Sequence, residues 1–300
     1  MNKLYHIFIG IILLAGCQNS TRQPNQNIEI RSIPSASIET KVEIRKLISK
    51  EYAWLKEPLI LLGYKNQNPI LRSWETNNLY ILKDTLSIYS TFAAKFKAIH
   101  IDDNMTIYSS SDSMMVETDI EDVKLKTENR VIDASASSDG RFIYFFTDYK
   151  KPIQILDLSN LEIKSTNLIG SNLHIYNSKL YYTTGHPDQS GFVRIFRTEI
   201  PELGPSEMII SGAHEEGLTF FPSDSLIGLH ANLVSDIRPA IYNIKLHKYA
   251  FLENVDSDMN YPVLFPRTEQ LGFYNLDNFD LKFFDLEFDF KEAKELGIYE

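Results

Sequence analysis

The chain has 300 residues and a formal net charge of −10 at pH 7. Phosphate contacts need clustered Lys and Arg, so this acidic balance argues against nucleic acid as a partner. The single cysteine, Cys17, excludes disulfide bonds within the chain and metal sites built from several thiolates.

Residues 1–17 have the layout of a secretory signal. Lys3 supplies a basic start, Leu4 to Leu14 form an apolar run, and Cys17 follows Leu14-Ala15-Gly16. About eleven apolar residues are too few for a hydrocarbon core that needs roughly 20, which disfavours an uncleaved membrane anchor. A buried strand carrying a free thiol is the other alternative. We therefore expect cleavage before Cys17.

The run Leu14-Ala15-Gly16-Cys17 resembles the lipobox of bacterial lipoproteins. This resemblance implies lipid attachment to the Cys17 sulfur, with residues 1–16 as signal peptide and 17–27 as a polar tether. In the lipoproteins that this run resembles, an Asp directly after the cysteine marks retention in the inner membrane, and this chain has Gln18 at that position. The tether also has no acidic cluster of the kind linked to surface export. We therefore expect an outer-membrane anchor with the folded domain, residues 28–300, facing the periplasm.

Downstream of the tether, short apolar runs repeat and almost no stretch has helical periodicity. The exceptions are weak and cover Ile44 to Leu55 and Phe290 to Leu296. A central strand recurs at intervals of 34 to 46 residues, close to the 40–50 residues typical of a four-stranded propeller blade. The recurring strands begin at Leu71, Met105, Phe142, Leu180, Leu226 and Leu271.

The third repeat is the clearest. Its four predicted strands are Val131–Ser135, Arg141–Thr147, Pro152–Leu158 and Glu162–Leu168. Between the first two lies Ser137-Ser138-Asp139-Gly140, a turn in which glycine supplies the positive φ.

This turn, the aromatic strand after it and the Asp157-Leu158 pair resemble TolB-like β-propeller repeats. The resemblance implies an all-β propeller, and the rhythm of the chain predicts six four-stranded blades. Seven blades are the alternative if residues 28–55 hold further strands.

Such a ring must close, because open edge strands invite aggregation. We predict that Thr40 to Leu47 pairs into the last blade and locks the ring. The other three strands of that blade are predicted at Tyr261–Pro266, Leu271–Leu276 and Leu281–Glu287. An amphipathic helix over Ile44 to Leu55 is the competing interpretation.

Three polar residues fall on predicted inner strands: His100, Asp133 and His174. Inner strands line the channel of a propeller, so these side chains can converge there on a cation or a polar ligand. The alternative is that each is hydrogen-bonded to a neighbouring backbone group or to water. No catalytic residue, resident metal or cofactor is predicted, and Asp102-Asp103-Asn104 and Asp256-Ser257-Asp258 are interpreted as turns.

Near the end of the chain, Phe279, Phe283 and Phe288 alternate with acidic residues. Core packing is the leading interpretation, and an exposed patch that binds a protein partner is the alternative.

Two functions follow as hypotheses. The first is a monomeric, non-catalytic module that binds an envelope protein or a ligand. The second is a hydrolase or lyase acting on carbohydrate or peptide at the channel mouth.

Overall fold

The computed structural model describes residues 43–51, 59–83, 85–91, 96–185, 192–214, 219–220, 226–233, 236–244, 248–251, 259–265, 270–275 and 280–287. Within these ranges all regular structure is β, in twenty-four strands. A search of the same ranges finds no helix that could cross a membrane. The lipobox, with Cys17, and the polar tether lie outside them.

Strand β1 (Glu43–Glu51) comes first in the chain, and the strands after it form antiparallel groups that we call units 1 to 6. Unit 1 contains β2 (Leu59–Lys65), β3 (Asn68–Ser73), β4 (Leu79–Leu82) and β5 (Leu86–Ser90). Unit 2 contains β6 (Lys97–Ile101), β7 (Met105–Ser109), β8 (Ser113–Thr118) and β9 (Asp122–Lys126). Unit 3 contains β10 (Asp133–Ala136), β11 (Phe142–Phe146), β12 (Gln154–Asp157) and β13 (Glu162–Ser165).

The later units are similar, except that units 4 and 5 share one eight-stranded sheet, in which the last strand of unit 4 pairs with the second strand of unit 5. Unit 4 contains β14 (Ser171–Tyr176), β15 (Lys179–Gly185), β16 (Phe192–Glu199) and β17 (Glu207–His214). Unit 5 contains β18 (Thr219–Phe220), β19 (Leu226–Leu233), β20 (Asp236–Asn243) and β21 (Lys248–Phe251). Unit 6 contains β22 (Met259–Phe265), β23 (Gln270–Asn275) and β24 (Asp280–Glu287). The predicted recurring strand is the second strand of every unit.

Strand β1 supplies the fourth strand of unit 6. It runs antiparallel to β24, from Glu43 opposite Glu287 to Glu51 opposite Asp280. The predicted strand at Thr40 to Leu47 is therefore present, with bounds shifted toward the C-terminus. The competing helix is wrong for residues 43–51. The alternation of Glu43, Ile44 and Arg45 favours the strand, and a register shift between Ile44 and Lys46 ends this alternation.

The first strands of units 1 to 4 contact one another in chain order. Strand β2 contacts β6, β6 contacts β10, and β10 contacts β14. Strand β22 contacts both β19 of unit 5 and β2 of unit 1. The last unit thus lies against the first.

The hydrophobic core lies between units, as β11 illustrates. Ile143 and Phe145 pack with the apolar side chains of unit 2, whereas Tyr144 and Phe146 pack with those of unit 4. All four are at most 1% exposed. Because successive side chains of a strand point to opposite faces, a sheet buried on both faces needs a continuous apolar run. This explains why the second strands carry the clearest rhythm in the sequence.

The turn between β10 and β11 matches its prediction. Gly140 has φ +70°, a conformation that glycine adopts without a steric penalty. The Ser137 hydroxyl donates to Asp139 Oδ1 at 2.6 Å and accepts from the Phe142 amide at 2.8 Å. Arg141 then donates twice to Asp157, from Nε to Oδ1 and from Nη2 to Oδ2. The motif that resembles propeller repeats is thus a hydrogen-bonded brace within one unit.

Candidate functional site

The structure places the three predicted site residues on the first strands of consecutive units. His100 lies on β6, Asp133 opens β10, and His174 lies on β14. The electrostatic influence of His100 reaches both Asp133 and His174, so the three residues lie in one region of the protein. Asp133 is 33 residues after His100 and 41 residues before His174 in the sequence, and the packing of neighbouring units brings the three together.

Each carboxylate oxygen of Asp133 accepts a hydrogen bond from a backbone amide. Its Oδ1 accepts from the Ala134 amide at 2.9 Å, and its Oδ2 accepts from the Leu173 amide of unit 4 at 2.8 Å. Burial raises the pKa of Asp133 to about 6, against the opposing effect of these amides, His100 and Arg72. The carboxylate therefore joins two units, as expected if it has a structural role.

Ser135 makes the same kind of contact two residues later. Its Oγ accepts from the Ile175 amide at 3.1 Å. Residues two apart on a strand share a face, so Asp133 and Ser135 both meet the edge of β14. We call these two side chains the clamp between units 3 and 4.

His100 and Asp102 form a pair at the end of β6. His100 Nε2 lies 3.0 Å from Asp102 Oδ2. Asp102 Oδ1 also accepts from the amides of Asn104 and Met105, at 2.7 and 2.8 Å. Burial raises the pKa of Asp102, but the hydrogen bonds from His100, Met105 and Asn104 outweigh it, so the net pKa is lowered. The predicted turn at Asp102-Asp103-Asn104 is confirmed.

His174 is neutral at pH 7. Burial, followed by the charge of His100, lowers its pKa to about 4. A neutral imidazole can donate at one nitrogen and accept at the other. His174 therefore adds polarity but no charge to this region.

Two cations that the sequence reasoning did not select lie beside these residues. Arg72, on β3, is 6% exposed and donates from Nη1 to the Ala98 carbonyl at 2.5 Å. Its Nε is buried and has no hydrogen-bond partner. Burial lowers the pKa of Arg72 to about 10, which Asp133 opposes and Arg130 reinforces. The sequence could have pointed to Arg72, because it is a charged residue in the apolar second strand of unit 1. Both faces of that strand are buried, so a charge there is buried too.

Lys97, the first residue of β6, is the second of these cations. Burial, then the charges of Arg72 and Arg130, lowers its pKa to about 8. Its Nζ lies 5.7 Å from the centre of the Trp74 ring, within the range of a cation–π interaction. Trp74 is 58% exposed, so this end of the cluster is open to solvent.

Other predicted sites lie elsewhere. In the part of the chain that the structure describes, no three His, Cys, Asp or Glu side chains are grouped to hold a metal ion. Phe279, Phe288 and Asp256-Ser257-Asp258 lie outside the described residues. Phe283 is on β24 opposite Ile48 and Gly272, and its side chain is not described. The phenylalanine patch stays a prediction.

Known proteins are similar to this chain in structure, whereas no match is found at the level of sequence. No protein-family model matches the chain. No curated protein matches it either. The β-propeller domain of Cps50 (Swd1) from Myceliophteria thermophila is similar in structure, with a TM-score of 0.53 and 11% identity over 76% of this chain and 84% of that one. The fold is a β-propeller.

Two further structures are similar at comparable identity. A luciferin-regenerating enzyme has a TM-score of 0.53 and 10% identity over 80% of this chain and 95% of that one. TolB from Acinetobacter baumannii has a TM-score of 0.46 and 15% identity over 76% of this chain and 63% of that one. At these identities the likeness concerns the fold alone, and at a TM-score of 0.46 the TolB match carries no argument. The resemblance to TolB-like repeats rests on the turn motif of unit 3.

Proposed function

We propose that this protein is a lipid-anchored envelope protein whose propeller is a non-catalytic binding module. The observation that carries this proposal is the state of the predicted site residues. Both oxygens of Asp133 accept backbone amides, and His100 is paired with Asp102 in a turn. Acid–base catalysis needs a group within reach of a substrate proton, and the two amide contacts of Asp133 favour a structural role for this carboxylate instead.

The proposed architecture is a closed ring of six blades, with units 1 to 6 as blades and β1 as the locking strand. Two observations support it. Strand β1 pairs with β24, and β22 lies against β2. A ring closed by strands from both ends of the chain leaves no open sheet edge between the first and last blades.

Anchoring through Cys17 rests on the Leu-Ala-Gly-Cys run. A diacylglyceryl group holds a protein more durably than one chain, since each buried methylene contributes about 0.8 kcal/mol. We place the domain on the periplasmic side of the outer membrane as a monomer that binds an envelope protein or a ligand.

A hydrolase or lyase with its site at the channel mouth is the second candidate. The displaced pKa values of Asp133 and His174 favour it, because such groups concentrate at active sites. Burial is the largest cause of both pKa shifts and needs no catalytic role, which is why binding is the leading proposal.

The test is chemical cross-linking of intact cells followed by capture of the tagged full-length protein from solubilised membranes. We expect one stoichiometric protein partner or one co-purifying ligand. The Cys17→Ser variant controls for the anchor, and we expect it to leave the membrane fraction. Turnover of a carbohydrate or peptide that is lost in Asp133→Asn and in His174→Gln, with folding intact, would establish the enzyme instead.

A further inference from the structure

Three cations meet where units 1, 2 and 3 adjoin, at the end of the sheets where β3 finishes and β6 and β10 begin. Arg72 donates to the carbonyl of Ala98, the residue after Lys97. Lys97 is opposite Ser109 in the β6–β7 register. The Ser109 hydroxyl in turn donates to the Val131 carbonyl at 2.7 Å, which brings Arg130 to the same place. We call Arg72, Lys97 and Arg130 the basic cluster.

Arg72 is held by an inter-unit contact and Lys97 by strand register. Among the described residues, no acidic side chain forms an ion pair with Arg72, Lys97 or Arg130. Arg72 is almost fully buried, and its Nε donor has no hydrogen-bond partner. Burying a guanidinium is costly unless a negative charge and hydrogen-bond acceptors compensate it. The carboxylate of Asp133 opposes the lowering of the Arg72 pKa, whereas the charges that act on Lys97 are those of Arg72 and Arg130.

The cluster therefore has a local excess of positive charge in an acidic chain. Three cations against the single carboxylate of Asp133 leave a net charge of 3 − 1 = +2. The acidic residue of the neighbouring loop, Glu128, is paired with Lys151 at 3.0 Å. Asp133 offsets part of the mutual repulsion among Arg72, Lys97 and Arg130, and a bound anion would offset the rest.

We propose that the basic cluster binds a phosphate group, either as the free ion or as a monoester. A phosphate carries about 1.5 to 2 negative charges at neutral pH, which is closer to the excess than the single charge of a carboxylate. The planar donor fork of arginine and the point charge of lysine are the usual partners of phosphate oxygens. Lys97 and the exposed Arg130 give access from solvent, and Trp74 offers a flat surface to the group that bears the ester.

This inference rests on the proposed binding function and names its ligand class. The test uses the full-length lipidated protein in detergent, with Trp54→Phe so that Trp74 is the only tryptophan. Its fluorescence is titrated at about pH 7.5 and constant ionic strength with inorganic phosphate, phenyl phosphate and acetate. We expect saturation with inorganic phosphate, with phenyl phosphate or with both, and none with acetate at equal concentration.

Arg130→Gln is the informative variant, because Arg130 is exposed and its loss leaves the core intact. We expect it to weaken phosphate binding about 10-fold, the loss of one charge-assisted hydrogen bond. Lys150→Gln removes an exposed cation from the same end of unit 3 and should leave binding unchanged. Tighter binding of inorganic phosphate indicates the free ion as ligand, and tighter binding of phenyl phosphate indicates a monoester.

Three results would overturn the proposal. These are no saturable response to either phosphate probe, an equal response to acetate, or an equal loss in Lys150→Gln and Arg130→Gln. Failure to capture a partner from membranes does not affect this titration, so the two proposals fail separately.

Discussion

The boundary between units 1 and 2 and the boundary between units 3 and 4 join first strands in different ways. At the first boundary the backbones themselves meet, in a parallel bridge between Gly63 of β2 and Ile101 of β6. At the second, the clamp residues Asp133 and Ser135 accept the amides of Leu173 and Ile175. Both solutions supply partners to strand-edge groups that would otherwise be buried without hydrogen bonds.

The difference decides what each boundary is sensitive to. The close approach of the two backbones depends on the absence of a side chain at Gly63, so the first boundary is sensitive to the size of the residue there. A carboxylate and a hydroxyl depend on their acceptor oxygens and, for Asp133, on protonation. The two boundaries should therefore fail under different substitutions and at different pH.

Gly63→Ala should have the largest effect. A Cβ at Gly63 would lie 1.9 Å from the Ile101 carbonyl oxygen. The φ angle at this position is +152°, which residues other than glycine rarely adopt. We expect the free energy of unfolding to fall by about 4 kcal/mol, because the contact is with backbone that cannot move aside. Urea unfolding followed by tryptophan fluorescence measures this loss.

Gly185→Ala is the matched control, since a Cβ there meets nothing within 4 Å. An equal loss of stability in both variants would show that the close approach of β2 to β6 is not what requires glycine.

The pH dependence of the second boundary should be the next largest effect. The pKa of Asp133 is raised to about 6 in the folded protein from its ordinary value of 3.8. The stability it contributes is thus fully present below pH 3.8 and is lost as the pH rises through about 6. Wild type should lose up to about 3 kcal/mol relative to Asp133→Asn across this window.

Subtracting the two unfolding curves at each pH isolates Asp133 from His174, which acts in the opposite direction. The pKa of His174 is lowered to about 4, so its contribution is lost as the pH falls from 6.5 toward 4. A difference curve that is flat between pH 4 and 7 would contradict the role assigned to Asp133.

Ser135→Ala should have a moderate effect on the same boundary. The Ser135 side chain is 4% exposed, and its removal leaves the Ile175 amide without its acceptor. We expect the free energy of unfolding to fall by about 1 to 2 kcal/mol, independently of pH. Ser87→Ala on the exposed strand β5 serves as the control and should change the urea midpoint little. A loss in Ser135→Ala that depends on pH would mean that Asp133 and Ser135 do not act separately.

Arg141→Ala should have the smallest effect, because it touches neither boundary. Arg141 pairs with Asp157 within unit 3, and its side chain is 52% exposed. Exposed ion pairs contribute little to stability even when their geometry is good. The urea midpoint should stay close to that of wild type, and a loss as large as that of Ser135→Ala would show that the turn brace also supports the contacts between units.

Much of the architecture is readable from local patterns. The second strands were predictable because both of their faces are buried, which requires continuous apolar runs such as Phe142 to Phe146. The Ser137–Gly140 turn was predictable because its hydrogen bonds are made within a few residues and its positive φ favours glycine. The strand at Glu43–Glu51 was predictable from alternation, although its exact bounds depend on its partner β24.

The site was predictable only in part. His100, Asp133 and His174 follow from their positions on first strands, whereas their engagement by Asp102 and by the Leu173 amide does not. Arg72 was missed because a single charge in an apolar strand has no periodic signature. Its neighbours Lys97 and Arg130 are 25 and 58 residues away in sequence.

The amino-acid order alone determines the all-β class, the repeat of second strands and the turn of unit 3, because each depends on interactions between residues near in the chain. It also carries the Leu14-Ala15-Gly16-Cys17 run on which the proposed anchor depends. Only the packing of units against one another decides that Gly63 must lack a side chain, that Asp133 binds the edge of β14, and that Arg72, Lys97 and Arg130 meet. Those contacts join residues of different units, and no local pattern specifies which side chains a neighbouring sheet will bring opposite them.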